Sequence, residues 1–378
     1  MQAPSIINST YSLPDLRITQ ICANQFVLIR VIRRQKENLM SSLILVHPTF
    51  EATWPFVADH LHALWQRQGD AQLVRVQPDE TRAVHELGID LARVERLVAL
   101  CVPATAESVQ HMPALKEAAI LREYGPLQDD ALAGALQARH VKTYQQRSEG
   151  FWGESVSEFG LALTLCALRR IPQTHAAMIH ALDGWDYSPA GGVGNPGGRG
   201  YQFGDDTRFT NGTVEGKRVR IVGAGNIASR YASFMRTLGA DVAAWDPFAS
   251  EPAFHRAGSR REYHLDRLGR DAEIFVPMVP LTDSTRGLVT REHILALPKG
   301  CLVVLVTRAL ICDTAAIRER VLNDEIALAA DVFDVEPLPL DDPLLGRHNV
   351  VHTPHNAGRT KEANFRWAEM LVDQFLPR

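Results

Sequence analysis

The sequence predicts an α/β protein of two lobes, Rossmann-like or flavodoxin-like, each built on a parallel sheet flanked by helices. Three observations predict it. From residue 42 onward short apolar runs of strand length alternate with segments of helical periodicity, and repeated β-α units imply a parallel sheet covered on both faces. A length of 378 residues exceeds one ordinary core and fits two domains. A glycine turn, "VGAGNIA", stands between one such run and a helix.

The elements follow in order. Residues 1–39 alternate short apolar runs with Pro, Asn and Ser, and lack a signal peptide's basic start, single apolar block and cleavage site. They are expected to be an extension outside the fold, or the native start is Met40. "LILVHP" reads as a strand and "FVADHLHALWQRQG" as a helix with apolar positions three and four apart. "AQLVRV" and "RLVALCVP" then read as buried strands, and "PALKEAAIL" follows. Ser155–Leu182 is the longest helical stretch. Ser155 with Glu158 makes a capping box at its start, and Pro172 is expected to break it near Arg170 and Ile171. The glycine-rich segment from Gly184 to Thr213 has the composition of a loop. The alternation resumes with "RVRIVG", a helix to Leu238, "DVAAWD", "EIFVPMV", "HILALP", "CLVVLV", "AAIRERVL" and "IALAADVF". After Pro343 come "NVVHTPHNAG" and a last helix, "KEANFRWAEMLVDQFL".

Composition narrows the class. Hydrophobic residues make up 46% and charged residues 22%, as in a globular protein, and the net charge of −4 gives no surface for nucleic acid or an acidic membrane. No apolar run reaches the length of a membrane span. Cys22, Cys101, Cys166, Cys301 and Cys312 are scattered, without a C-x-x-C pair, which favours reduced thiols in the cytoplasm.

Gly223-x-Gly225-x-x-Ala228 follows a strand and opens a helix. The first glycine permits the tight turn, the second lets backbone approach a pyrophosphate, and the third position needs only a small residue. The helix start offers free N–H groups to phosphates. Asp246 closes the next strand, where a carboxylate accepts hydrogen bonds from an adenosine ribose and repels a 2′-phosphate, so NAD is favoured over NADP. Three further segments end strands where open α/β sheets place their ligands: "VLVTRALICD" with Arg308, "LAADVFDVEPLP" with Asp331 and Glu336, and "VVHTPHNAG" with His355. An arginine there can clamp a carboxylate, and a histidine backed by a carboxylate can accept an alcohol's proton. Each has a plainer reading as a surface ion pair or loop acid. His352 and His355 lack a neighbouring third ligand in sequence, so no metal is expected.

From about Ser155 to Gly358 the chain resembles the D-isomer-specific 2-hydroxyacid dehydrogenase family. The resemblance rests on "SVSEFGLALTLCALRRIP", "VEGKRVRIVGAGNIASRYASFMRTLGADVAAWDP", "VPLTDSTRGLVTREHILALPKGCLVVLVTRALICD" and "DVFDVEPLPLDDPLL…NVVHTPHNAG", in the family's order. It implies interconversion of a D-2-hydroxy acid and its 2-keto acid with NAD. Arg308 matches the arginine that binds the substrate carboxylate, and Glu336 and His355 the acid–base pair. Asp331 matches the acid near the nicotinamide amide, and Asn226 and Ile227 the pyrophosphate pair. Val279, Pro280 and Thr307 match the backbone lining the ribose, and Gly358 a residue beside the coenzyme. It also implies a substrate domain of residues 40–152 plus 353–378, an NAD-binding domain of residues 153–352, a cleft between the two lobes, and a homodimer joined through the long helix. An NAD-sensing, corepressor-like protein on the same fold remains the alternative. A formate-dehydrogenase-like enzyme is disfavoured, because Glu336 stands where those relatives carry glutamine.

The sequence departs from the family in places. Leu305-Val306-Thr307-Arg308-Ala309 replaces Asn-x-Ala-Arg-Gly, Asn226 stands where arginine is common, and Met278 where His or Asn is common. In the first lobe, Leu121–Asp130 keeps one glycine of a glycine-rich substrate loop and gains Arg122, Glu123 and Tyr124. Arg122 or Tyr124 is thereby a candidate contact to a polar or second acidic group on the substrate. Residues 184–213 exceed the usual connection and are expected to pack on a partner or form a surface loop.

Overall fold

A computed structural model describes residues 41–146, 150–188 and 198–376. The expectations for residues 1–39 and for the middle of the glycine-rich segment lie outside the described residues. The chain divides into two compact units. Of the described residues, one holds those through Thr53, Ala58–Gln145 and those from Val372; the other holds Trp54–Val57 and those within Gln146–Leu371.

The first unit runs β1 (Ser41–Val46), α1 (Pro48–Thr53), α2 (Val57–Gln66), β2 (Ala71–Arg75), β3 (Val94–Leu100), α3 (Ala106–Gln110), β4 (Glu117–Leu121), α4 (Asp130–Ala138) and β5 (Lys142–Thr143). Its sheet is wholly parallel in the order β2-β1-β3-β4-β5, the flavodoxin-like order. Leu43, Leu45, Leu97 and Ala99 lie in its core at 1% exposure or less. A buried ion pair, Arg96 with Glu117 at 3.4 Å, holds the end of the chain: Arg96 donates to the Leu376 carbonyl at 2.6 Å, and Glu117 accepts the Leu376 N–H at 2.9 Å.

The second unit continues with α5 (Gly150–Arg169), α6 (Ile171–His180), a hairpin of β6 (Asp186–Tyr187) and β7 (Gly200–Tyr201), β8 (Arg218–Val222), α7 (Asn226–Thr237), β9 (Asp241–Trp245), α8 (Glu251–Ala257) and β10 (Arg260–Glu262). There follow α9 (Leu265–Leu268), β11 (Ile274–Pro277), α10 (Arg291–Leu295), β12 (Leu302–Leu305), α11 (Thr314–Leu322), β13 (Ala327–Ala330), β14 (Val350–His352) and α12 (Lys361–Val372). Its parallel sheet has the order β10-β9-β8-β11-β12-β13-β14. Counted from β8, that is the Rossmann order with one strand added at the edge. Every residue of β11, β12 and β13 is buried, as a strand covered on both faces requires.

Two expectations change. Helix α5 is already formed at Gly150, because Phe151 as well as Val156 is buried and the apolar face extends upstream. Ser155 is therefore inside the helix rather than its cap, and its hydroxyl donates to the Ala357 carbonyl. The expected domain boundary at residue 353 shifts as well. The chain as far as Leu371 groups with the second unit, where Asp331 and Ser155 hold the turn after β14. The break before Pro172 falls as expected, at Arg170, whose φ is 51°.

Candidate active site

β8 delivers the chain to Gly223, where φ is +115° and a Cβ would stand 3.0 Å from the Met278 carbonyl oxygen and 3.0 Å from Val279 Cγ1. Only glycine fits there. Gly225 caps α7, and nothing lies within 4 Å of where its Cβ would be. That open space before free helix N–H groups suits a pyrophosphate. Ala228, 1% exposed, packs into the core behind it.

Asp246, just past β9, does more than the sequence suggested. Its Oδ2 accepts the Ala224 N–H at 2.9 Å, and its Oδ1 accepts the N–H groups of Phe248 and Ala249 at 2.9 and 3.0 Å. The acid expected to meet a ribose thus also ties the glycine turn to the loop after β9. A carboxylate has about four acceptor positions, so a further donor can still be met. Turn, open helix end and acid together fit an NAD coenzyme.

The Asn226 side chain turns toward α5: its amide fills the space that a Cβ on Gly153 would need, and its Oδ1 accepts from Arg230 Nε at 3.2 Å. Ile227 is half-buried against the core. Val279 also packs on the core, and the Pro280 carbonyl accepts the Thr285 hydroxyl at 2.6 Å. Thr307 is 8% exposed.

Arg308 follows β12 in extended conformation, half-buried, with Nη1 donating to its own Thr307 carbonyl at 2.7 Å. Ala309, which replaces the family's glycine, is 3% exposed and packs in the core. The added methyl group is therefore absorbed by the core.

Beyond β14 the chain enters Thr353-Pro354-His355, and His355 adopts a left-handed φ of 52°. Its Nδ1 lies 2.6 Å from Glu336 Oε2, and Glu336 Oε1 accepts the Phe333 N–H at 2.8 Å. A carboxylate only accepts, so the Nδ1–H donates and Nε2 is left as the basic nitrogen. The two side chains are 38% and 34% exposed, at the edge of a cleft of about 570 Å³ whose walls include Phe333, Leu338, Leu340 and Thr353. The structure brings His355 and Glu336 together; Arg308 does not line that cleft.

Asp331 has no exposed surface. Its Oδ1 accepts the Thr353 hydroxyl at 2.6 Å and the Asn356 N–H at 3.0 Å, and its Oδ2 accepts the Ala357 N–H at 2.8 Å. A Cβ on Gly358 would stand in ordinary contact with Val156 and Trp152, at 3.6 and 3.8 Å. Thr353 escaped the sequence reading. The signal was its place just past a strand end, opposite the acid that ends the neighbouring strand, since Ala330 pairs with His352.

In the first unit, the Arg122 N–H donates to the Gly125 carbonyl at 2.9 Å in a tight turn, and Tyr124 is 57% exposed. Burial, and secondly Glu123, push the Cys101 thiol up to about 12. Among the described residues no group of three or more His, Cys, Asp or Glu is placed to hold a metal, and no helix is long and apolar enough to cross a membrane.

Comparison with known proteins bears on this geometry. The family model described as "D-isomer specific 2-hydroxyacid dehydrogenase, NAD binding domain" matches residues 161–357. The chain is 28% identical to the D-3-phosphoglycerate dehydrogenase of Methanocaldococcus jannaschii over 221 residues, 58% of this chain and 38% of that protein. It is 28% identical to the glyoxylate reductase of Aeropyrum pernix over 254 residues, 63% of this chain and 67% of that protein. The match thus spans about two-fifths of the phosphoglycerate dehydrogenase. Among solved structures, a phosphoglycerate oxidoreductase from Rhizobium etli superposes with a TM-score of 0.65 at 20% identity, covering 89% of this chain and 97% of that one. The apo-structure of D-lactate dehydrogenase from Escherichia coli gives 0.59 at 17% identity, covering 88% and 95%.

Proposed function

The chain belongs to the D-isomer-specific 2-hydroxyacid dehydrogenase family and carries its NAD-binding domain, and from that premise we propose that it interconverts a D-2-hydroxy acid and its 2-keto acid. The observation that carries the reading is the 2.6 Å pair of His355 and Glu336 beyond the end of β14. Glu336 fixes the imidazole tautomer and stabilises the ring when it is charged. In reduction, Nε2–H gives its proton to the carbonyl oxygen; in oxidation, neutral Nε2 takes the hydroxyl proton. Arg308 swings from the Thr307 carbonyl to clamp the carboxylate with two parallel hydrogen bonds. NAD(H), when bound, supplies or accepts the hydride. Gly223, Gly225, Asn226 and Ile227 hold its pyrophosphate through backbone N–H groups, Asp246 its adenosine ribose, and Val279, Pro280, Thr307 and Gly358 the nicotinamide half.

A second copy of the chain is the proposed partner. Helix α6 has no buried residue, and Ile171, Met178 and Ile179 on it, with Trp185 and Tyr201 beside it, are 50–84% exposed. An apolar patch of that kind calls for cover. Free Cys101, Cys166, Cys301 and Cys312 support a reducing, cytoplasmic setting.

The test is oxidation of NADH across a panel of 2-keto acids: glyoxylate, hydroxypyruvate, pyruvate, phenylpyruvate and branched or acidic analogues. At least one turns over, and His355→Ala lowers that turnover by roughly two to four decades while NADH still binds. Full activity in the variant refutes the assignment. Sedimentation at micromolar concentration tests the dimer, and a monomer there refutes it.

A further inference from the structure

We propose that Asp331 and Thr353 form a positioning pair that sets the catalytic geometry of His355, an inference that rests on the acid–base role given to His355 above. The argument begins at the strand ends. β13 and β14 are parallel neighbours with Ala330 opposite His352, so the next residue on each, Asp331 and Thr353, also face one another. The end of β13 is held by both neighbouring strands: the Asp331 N–H donates to the Leu305 carbonyl of β12 at 2.8 Å, and the Thr353 N–H beyond β14 donates to the Ala330 carbonyl at 3.0 Å.

Above that base the chain makes a turn it would not choose freely. His355 has φ 52°, a left-handed conformation that a non-glycine residue keeps only when its surroundings hold it there. The residues after it present consecutive N–H groups, those of Asn356 and Ala357, inward to the Asp331 carboxylate at 3.0 and 2.8 Å. Successive N–H groups beside a left-handed residue form a concavity that binds an anion, and here the anion is a side chain with no exposed surface. The Thr353 hydroxyl, 2.6 Å from Oδ1, holds that side chain in place from the other end of the turn. His355 therefore lies on a loop whose two ends are fastened to one buried carboxylate. With the backbone so held, Nδ1 meets Glu336 at 2.6 Å and Nε2 is aimed by default. The coenzyme contact expected for Asp331 competes with this assignment, because three donors from the chain itself meet the carboxylate and, unlike Asp246, it has no exposed surface left for another.

Thr353→Val keeps the shape and removes only the hydroxyl; Thr353→Ser restores it. With NADH and the best 2-keto acid at saturation, Thr353→Val is expected to lower kcat about 10–100-fold, the usual cost of misplacing a catalytic group by a supporting contact. The keto-acid KM and the NADH Kd from fluorescence titration stay within about threefold, and Thr353→Ser recovers most of kcat. Asp331→Asn, measured in the same way, loses kcat with the NADH Kd retained. Unchanged kcat in Thr353→Val overturns the proposal, and so does an Asp331→Asn protein that keeps kcat but binds NADH more than tenfold weaker. A readout independent of turnover is the His355 ring-nitrogen NMR signal, assigned by its loss in His355→Gln. It shifts in Thr353→Val and returns in Thr353→Ser if the pair positions the ring, and an unmoved signal overturns the pairing. If no keto acid turns over in the wild type, the proposed function fails, and the ring signal still decides this inference.

Discussion

Replacing Asp246 by alanine removes the proposed ribose acceptor and, at the same stroke, the acceptor of three backbone N–H groups. Those of Ala224, Phe248 and Ala249 all lie 2.9–3.0 Å from its carboxylate. A hydrogen bond to a charged group contributes about 1.5–3 kcal/mol. The loop is partly open to water, which replaces much of that, so a net loss of about 1–3 kcal/mol is expected for the arrangement as a whole. Ala224 lies between the two glycines of the phosphate turn, and loosening it reaches the coenzyme site directly. A loss of 1.4–2.8 kcal/mol corresponds to a Kd about 10–100-fold weaker. Asp246→Ala is therefore expected to weaken NADH binding by roughly that factor in a fluorescence titration. NADPH, relieved of charge repulsion, loses less, and the preference against it narrows. Asp246→Asn keeps one acceptor oxygen and falls between the two. An alanine variant that binds NADH as the wild type does refutes the bracing role, and one with an unchanged NADH-to-NADPH ratio refutes the ribose role.

Three further outcomes can be checked on the protein alone. The Arg220 guanidinium beside Asp271 holds its carboxyl below the usual 3.8. A depressed value adds stability that is present above about pH 4 and is lost as the pH falls through the folded value. Asp271→Asn thus destabilises most at neutral pH, and a denaturation midpoint difference that fails to shrink below pH 4 counts against the pair. Cys101, with its thiol pushed up to about 12, carries on the order of a thousandfold less thiolate at pH 8 than the unfolded chain. Iodoacetamide labelling followed by mass spectrometry accordingly finds it nearly inert until the chain unfolds, and equal rates in the two states contradict the reading. Gly300→Ala sets a Cβ 2.8 Å from the Arg208 carbonyl oxygen at φ +82°. It is expected to lower unfolding stability by about 2–4 kcal/mol, and a wild-type midpoint contradicts the contact.

What the sequence revealed and what it hid divide along a physical line. Strands β11, β12 and β13 were legible because burial on both faces forces continuous apolar runs. The glycine turn was legible because a φ of +115° against the Met278 carbonyl leaves no other residue type. Strand β10 was hidden: it is Arg-Arg-Glu at a sheet edge, held by pairing with β9 and carrying no apolar signature. Ser155 was misread, since a capping pattern is local whereas Phe151, upstream, is buried by tertiary packing. The further duties of Asp246 and Asp331 were invisible for the same reason. Each carboxylate accepts N–H groups far off in sequence that only the folded chain brings within 3.0 Å: Ala224 for Asp246, and Asn356 and Ala357 for Asp331.

The sheet itself argues for dividing labour among the strand ends. Leu305 of β12 pairs with Ala330 of β13, and Ala330 with His352 of β14. Arg308 and His355 thus follow strands on either side of β13, and those two strands lie about 10 Å apart at the usual spacing of roughly 4.8 Å per strand. In the proposed reaction a small acid held by both would sit over the end of β13, with its carboxylate toward one and its carbonyl toward the other. The residue that ends β13 then lies beneath the ligand rather than beside it. An exposed carboxylate there would repel the substrate's own charge. Asp331 escapes that conflict because the turn after β14 folds over it and its charge is met by two N–H groups and a hydroxyl. In the proposed arrangement the burial that spares the substrate a repulsion also fastens the loop that carries His355, so one acid serves both ends.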